Sequence, residues 1–195
     1  MIDKALNALV SITSDYLSML PELNIGSEAN VKLSHIIKND GTMGMQDNTL
    51  GVTLMNVEEE RNLPSTKAWY KTGQDKIEHV NPVMRLNLYV LFTAHFKEHK
   101  ASLQYISGVV SAFQSKNVFT PQNTPVLDET IEKLIVELYT LNLEQQHQLW
   151  GVIGAKYLPS LMYKVRIVAI QQLRAKDSQE PILGIGITAG GKAAP

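Results

Sequence analysis

The most chemically suggestive spacing in the chain is His95-Phe96-Lys97-Glu98-His99. On one continuous helix, H-x-x-E-H sets two imidazoles a turn apart on one face, where they hold zinc while the glutamate acts as general base. The surrounding periodicity does not supply that helix. His95 ends an alternating stretch, and three-and-four spacing begins only near Lys100, so the triplet falls on a strand-to-helix junction and reads as solvated polar residues. A zinc-dependent hydrolase on His95, Glu98 and His99 is the enzymatic alternative, and no third ligand stands at a useful spacing. His35, His79 and His147 are scattered.

Gly186 to Lys192 spells G-x-x-x-x-G-K, the phosphate-cradling loop, but Ala193 stands where Ser or Thr should hold magnesium and no helix follows to offer its N-terminus. Gly184, Gly186 and Gly190 miss the dinucleotide spacing as well. In Glu58-Glu59-Glu60-Arg61, adjacent residues of a strand face opposite ways, so only Glu58 and Glu60 could cooperate; a strand running out into solvent is the simpler reading. Cysteine is absent, which removes disulfides, thiol nucleophiles and cysteine zinc sites. The residues therefore give no catalytic, cofactor-binding or metal-ligating set.

Composition narrows the classes further. In 195 residues, 44% are hydrophobic and 19% charged, enough apolar material for a core and one domain with a tail. Lys plus Arg total 18 against 19 for Asp plus Glu, and a net charge of −1 makes neither nucleic acid nor an acidic membrane an expected partner. The opening MIDKALNALV lacks the basic flank and cleavage pattern of a secretory leader, and no apolar run is long enough to span a bilayer.

The elements follow from hydrophobic period. Ile2, Ala5, Leu6, Leu9, Ile12, Tyr16 and Leu20 predict a helix stopped by Pro21. Strands are expected at Val31 to Ile37, with a turn at Asn39-Asp40-Gly41, and at Val52 to Val57, with an exposed loop at 42–51 between them. Asn62 to Asn81 reads as a long loop. Met84 to Phe96 alternates over thirteen residues, Lys100 to Gln114 returns to helical spacing, and Ile131 to Leu141 and Leu161 to Ile170 are strands. Asn142 with Gln145 forms a capping box opening a helix through Ile153. The expected class is α/β (α+β), one mixed and largely antiparallel sheet flanked by helices, which the order of elements places on one face. The domain is expected over 1–175, with an extended tail at 176–195.

That tail carries Ile182, Leu183, Ile185 and Ile187 in a Gly-interrupted apolar run. Such a strand can lie on its own subunit or add to a neighbour's sheet edge, and both remain open. Trp150, Tyr157 and Leu158 read as packing anchors.

Several peptides carry a resemblance that no core pattern demands: MIDKALNALV at the start, NVEEER (Asn56 to Arg61), LNLYVLF (Leu86 to Phe92), FTPQNTPVLD (Phe119 to Asp128), LWGVIGAKYLPS (Leu149 to Ser160) and YKVR (Tyr163 to Arg166). Together, in order over about residues 1 to 175, they resemble the N-terminal module of the tail-terminator, or cap, proteins of extracellular contractile injection systems. These are phage-tail-like particles of the antifeeding-prophage and virulence-cassette type. The resemblance implies a terminator fold in a homo-hexameric ring that closes the inner tube, binds the last sheath ring and ends tail growth, without catalysis. Its partners would be further copies of itself, the inner tube protein and the sheath protein. It would assemble in the cytoplasm as part of a particle that can be released. Some relatives carry a further C-terminal domain, where this sequence shows only its tail. The expected interface residues are Ile182, Leu183, Ile185 and Ile187, with Arg61, Lys67 and Lys71 meeting an acidic rim of tube or sheath. An adaptor that presents its tail to one partner is the remaining alternative.

Overall fold

Thirteen residues of strict alternation give the molecule its central strand. In a computed structural model, which describes residues 1–23, 30–60, 69–73, 76–80, 85–169 and 178–179, that strand runs from Arg85 to His95. In chain order the elements are α1 (Ile2–Ser18), a 3-10 turn (Pro21–Leu23), β1 (Val31–Leu33), β2 (Thr49–Glu59), β3 (Trp69–Gly73), β4 (Lys76–Val80), β5 (Arg85–His95), α2 (His99–Ser115), β6 (Val118–Phe119), β7 (Ile131–Tyr139), α3 (Leu143–Ile153), β8 (Ser160–Ala169) and β9 (Ser178–Gln179).

Two units result. The first, Met1–Leu63 with Met84–Ile170, holds a six-stranded sheet in the order β1-β2-β5-β8-β7-β6. β1 is parallel to β2 and every other pair is antiparallel, which is the expected mixed sheet. The second, Pro64–Val83 with Gln171–Pro195, holds a three-stranded antiparallel sheet, β3-β4-β9. The long loop expected over Asn62 to Asn81 thus contains a hairpin, with Gly73 paired to Lys76.

Period two sorts β5 onto two faces. Leu88, Val90, Phe92 and Ala94 face α1 and α2 and are fully buried with Leu9, Val109, Phe113, Val165 and Ile167. Phe92 meets Phe113 and Tyr163 edge-on, with ring centroids 5.7 and 5.6 Å away, and burying it contributes about 2–3 kcal/mol. The helices pack closely because α2 carries Gly108 at the crossing: a Cβ there would lie 2.3 Å from Leu17 Cδ2 of α1.

On the opposite face Leu91 and Met162 pack with Trp150 of α3 and with Ile36 and Met45 of the loop that follows β1. Helices therefore lie on both faces of the sheet, where the order of elements had suggested one. The expected strand over Val31 to Ile37 stops at Leu33, because the chain leaves the edge at Ser34 and lays Ile36 and Met45 across the outer face. The 42–51 segment is only partly an exposed loop: Met45 is buried, and β2 already begins at Thr49. The turn at Asn39-Asp40-Gly41 forms as read, with Ile37 bridged to Met43.

α3 starts on its capping box. Asn142 Oδ1 accepts from the Gln145 N–H at 2.8 Å, and Gln145 Oε1 accepts from the Asn142 N–H at 3.0 Å. It ends at Gly154, whose φ of 73° is left-handed and favours glycine.

Candidate assembly surface

The H-x-x-E-H residues are divided between elements. His95 is the last residue of β5, Glu98 precedes α2 as its N-cap, and His99 is the first helical residue. His95 Nδ1 lies 3.1 Å from the Gln46 carbonyl oxygen and 4.0 Å from Asp47 Oδ1. The two imidazoles do not share a helix, so the zinc-hydrolase geometry is not formed there. Among the described residues no group of three His, Cys, Asp or Glu side chains stands together, and no helix is long and apolar enough to cross a membrane.

The acidic run resolves into a cross-strand arrangement on the outer face. A bulge between Leu54 and Asn56 resets the phase of β2, so that Glu58 stands opposite Asn87 and Val57 opposite Leu88. Tyr89 donates its hydroxyl proton to Glu58 Oε2 at 2.8 Å, and that bond raises the phenol's pKa. Arg166 lies between two carboxylates, its Nε 3.5 Å from Glu60 Oε2 and its Nη2 3.3 Å from Glu137 Oε2. Glu58 and Glu60 thus serve different partners instead of forming a shared acid-base pair.

Beside Tyr89, the flank of α3 and the sheet form a groove of about 570 Å³, floored by Met55, Leu149 and Met162 and rimmed by Gln145 and Gln148. Val152 stands on its lip, 87% exposed. A second groove, of about 460 Å³, lies where α1 and α2 end, lined by Tyr16, exposed Met19, Phe119, Pro125 and exposed Val126.

The peptides that carry the resemblance are turns with specific hydrogen bonds. In 119–128, Asn123 Oδ1 accepts from the Thr120 N–H at 2.9 Å, Lys116 Nζ donates to the Asn123 carbonyl at 2.8 Å, and the same ammonium lies 5.1 Å from the Phe119 ring centre. In 149–160, buried Trp150 meets exposed Tyr157 edge-on at 5.6 Å, Leu158 packs on the outer-face cluster, and the Pro159 carbonyl accepts from the Ala94 N–H at 2.9 Å. Trp150 and Leu158 are packing anchors, as read from the sequence, whereas Tyr157 is exposed.

Of the expected interface residues, Ile182, Leu183, Ile185, Ile187, Arg61 and Lys67 lie outside the described residues, as does the Gly186 to Lys192 motif. Lys71 is on β3, in register with Glu78 of β4.

Period and composition did not point to the two margins of the six-stranded sheet. β1 covers β2 only from Leu50 to Val52, and β6 covers β7 only at Leu134 and Ile135. Where that cover stops, large apolar side chains are exposed: Leu33 and Val57 on one margin, Leu138 on the other.

The sequence profile of the Pvc16 N-terminal domain matches residues 2–183. No curated protein matches the sequence. Two solved structures are similar. The sheath/tube terminator of the PVC extracellular contractile injection system, in its extended state, gives a TM-score of 0.64 at 16% identity, covering 100% of this chain and 65% of that one. The tube-terminating cap of the anti-feeding prophage gives 0.58 at 13% identity, covering 96% of this chain and 61% of that one. The chain spans less than two thirds of either neighbour's length, and at these identities the likeness is one of fold.

Proposed function

Since the chain belongs to the Pvc16 N-terminal domain family, we propose that it is a structural terminator of a contractile injection particle. In this reading copies of the chain form a homo-hexameric ring on the end of the tail, close the inner tube, engage the last sheath ring and stop further growth. The ring assembles in the cytoplasm and leaves with the particle. The observation that carries the reading is that the whole chain superposes on a sheath/tube terminator, with a TM-score of 0.64 over 100% of its length. The role is one of shape and contact, not of catalysis. A cyclic ring needs two different patches on each subunit, one meeting the other on the next copy. The apolar residues Ile182, Leu183, Ile185 and Ile187 are proposed to bind a neighbour, and Arg61, Lys67 and Lys71 to face an acidic rim of tube or sheath.

The test is to remove the chain from cells that make the particle and to measure tails by electron microscopy. Tails of uncontrolled length with open ends are expected. Particles of normal length with closed ends would overturn the reading. Light scattering of the full chain and of one ending at Ser178, each with tube ends present, then asks whether the tail residues are needed for the ring.

A further inference from the structure

The strands at the two margins of the main sheet are short, and among the described residues each leaves part of the strand behind it unpaired. On one margin, Leu50 N–H donates to the Asn30 carbonyl and the Val52 carbonyl accepts from Ser34 N–H. These outward groups of β2 recur every second residue, so the next outward residue is Leu54, which has no strand beside it among the described residues. On the other margin, Val136 N–H donates outward to the Asn117 carbonyl, and two residues on, Leu138 N–H points the same way beyond the end of β6. Soluble proteins normally blunt such margins, and exposed apolar residues on them mark a place where another chain pairs.

The register adds a stricter condition. Leu33 is opposite Val52, Val57 opposite Leu88 and Leu138 opposite Tyr163, so all three belong to the face that carries α1 and α2. They are 40%, 42% and 52% exposed. On the outer face Lys32 stands beside Leu33, opposite Gly51, its ammonium donating to Gln46 Oε1 at 3.0 Å, and Glu137 stands beside Leu138, opposite Lys164, where it also meets Arg166. An antiparallel pairing that sets Leu138 against Leu33 brings the apolar pair together on the helix face and places Glu137 diagonal to Lys32 on the other, within reach of long side chains.

We propose that the β7 margin of one copy, at Glu137 to Tyr139, pairs with the β1 margin of the next, so that the six-stranded sheet continues from subunit to subunit. The occupant of each margin is a second copy of this chain because both halves of the match, apolar and charged, lie on the same molecule at opposite ends of one sheet. A contact between two different patches repeats head to tail and closes a ring when the rotation allows. The inference rests on the terminator reading and names a further surface, apart from the tail, through which its ring forms.

Because this chain has no cysteine, no native thiol of its own contributes to a cross-linking test read out on this chain. A chain carrying both Leu33→Cys and Leu138→Cys is built into particles, which are purified and treated with a short bismaleimide. A ladder of covalent multimers ending at the ring size is expected, and particles made from a mixture of the two single variants should yield only mixed dimers joining position 33 to position 138. Dimers joining 138 to 138 would overturn the inference, and so would particles that contain the double variant yet give no ladder. In either case the terminator reading would stand. Wild-type chain that never enters particles would instead remove that reading and the inference with it. Leu138→Pro provides a second measurement, since it deletes an outward N–H and leaves the β7–β8 ladder intact. An unchanged melting temperature with loss of the ring is expected; a Leu138→Pro chain that still forms the ring would overturn the pairing.

Discussion

Lys4 Nζ, on the first turn of α1, lies 2.8 Å from Asp128 Oδ2, at the end of the turn that leads into β7. The ion pair ties the N-terminal helix to the far half of the sheet. The ammonium, followed by the Thr130 hydroxyl and N–H, holds the Asp128 carboxyl well below the usual carboxylate range, and Asp128 raises Lys4 in return.

A pH window follows. A lowered carboxyl contributes stability above its unfolded pKa, about 4, and loses it as pH falls further; a raised lysine contributes below its unfolded pKa, about 10.4, and loses it at higher pH. Asp128→Asn should therefore melt below the wild type between about pH 5 and pH 10, with the gap narrowing steadily as pH falls below about 4. A series of melting temperatures across pH checks it, and a gap that did not narrow at all between about pH 5 and about pH 2.5 would exclude the ion pair as its cause.

Gly108 sets how near α2 can come to α1. Gly108→Val would drive side-chain atoms into the end of the fully buried Leu17 side chain, which must shift to make room, and overpacking of this kind costs about 1–3 kcal/mol. Urea denaturation should show a lower midpoint with an unchanged slope. Leu17→Ala in the same chain should restore part of the loss, because it vacates the space the valine needs.

Phe92 is fully buried and touches both Phe113 and Tyr163. Phe92→Ala should cost about 3–5 kcal/mol, and Phe92→Leu, which retains most of the volume, markedly less. Tyr163, whose phenol burial pushes up to about 12, should ionise at lower pH in the alanine variant as water gains access, which absorbance near 295 nm would follow.

The capping box of α3 secures a helix in which Trp150 alone is fully buried. Asn142→Ala should cost about 1 kcal/mol, and amide exchange should quicken first in the N-terminal turn, from Leu143 to Gln146. Equal acceleration throughout the sheet would show that the cap matters to the whole domain.

Features that rest on neighbouring residues were legible in the sequence. β5, α1 and α2 follow from uninterrupted period, and the Asn142–Gln145 box from two residues three apart. What depended on distant partners was not. The bulge at Met55 exists because β2 must match β5, and nothing in Leu54-Met55-Asn56 announces it. The hairpin of β3 and β4 was hidden by charged residues and by Gly73, although the strands are separated by only two residues. Neither the face on which α3 lies nor the exposure of Leu33 and Leu138 is a property of local sequence. Both follow from a strand order, β1-β2-β5-β8-β7-β6, that puts elements from the two halves of the chain side by side.

The same order has a consequence for synthesis. β5 is flanked by β2, made before it, and by β8, the last strand of its sheet to leave the ribosome. Until α2, β6, β7 and α3 have all been translated, one side of the most apolar strand has no neighbour, and the pairing that completes it joins segments far apart in the chain. Nascent chains stalled before β8 would be the form most in need of a chaperone, and truncations there should go to inclusion bodies instead of giving a smaller folded domain.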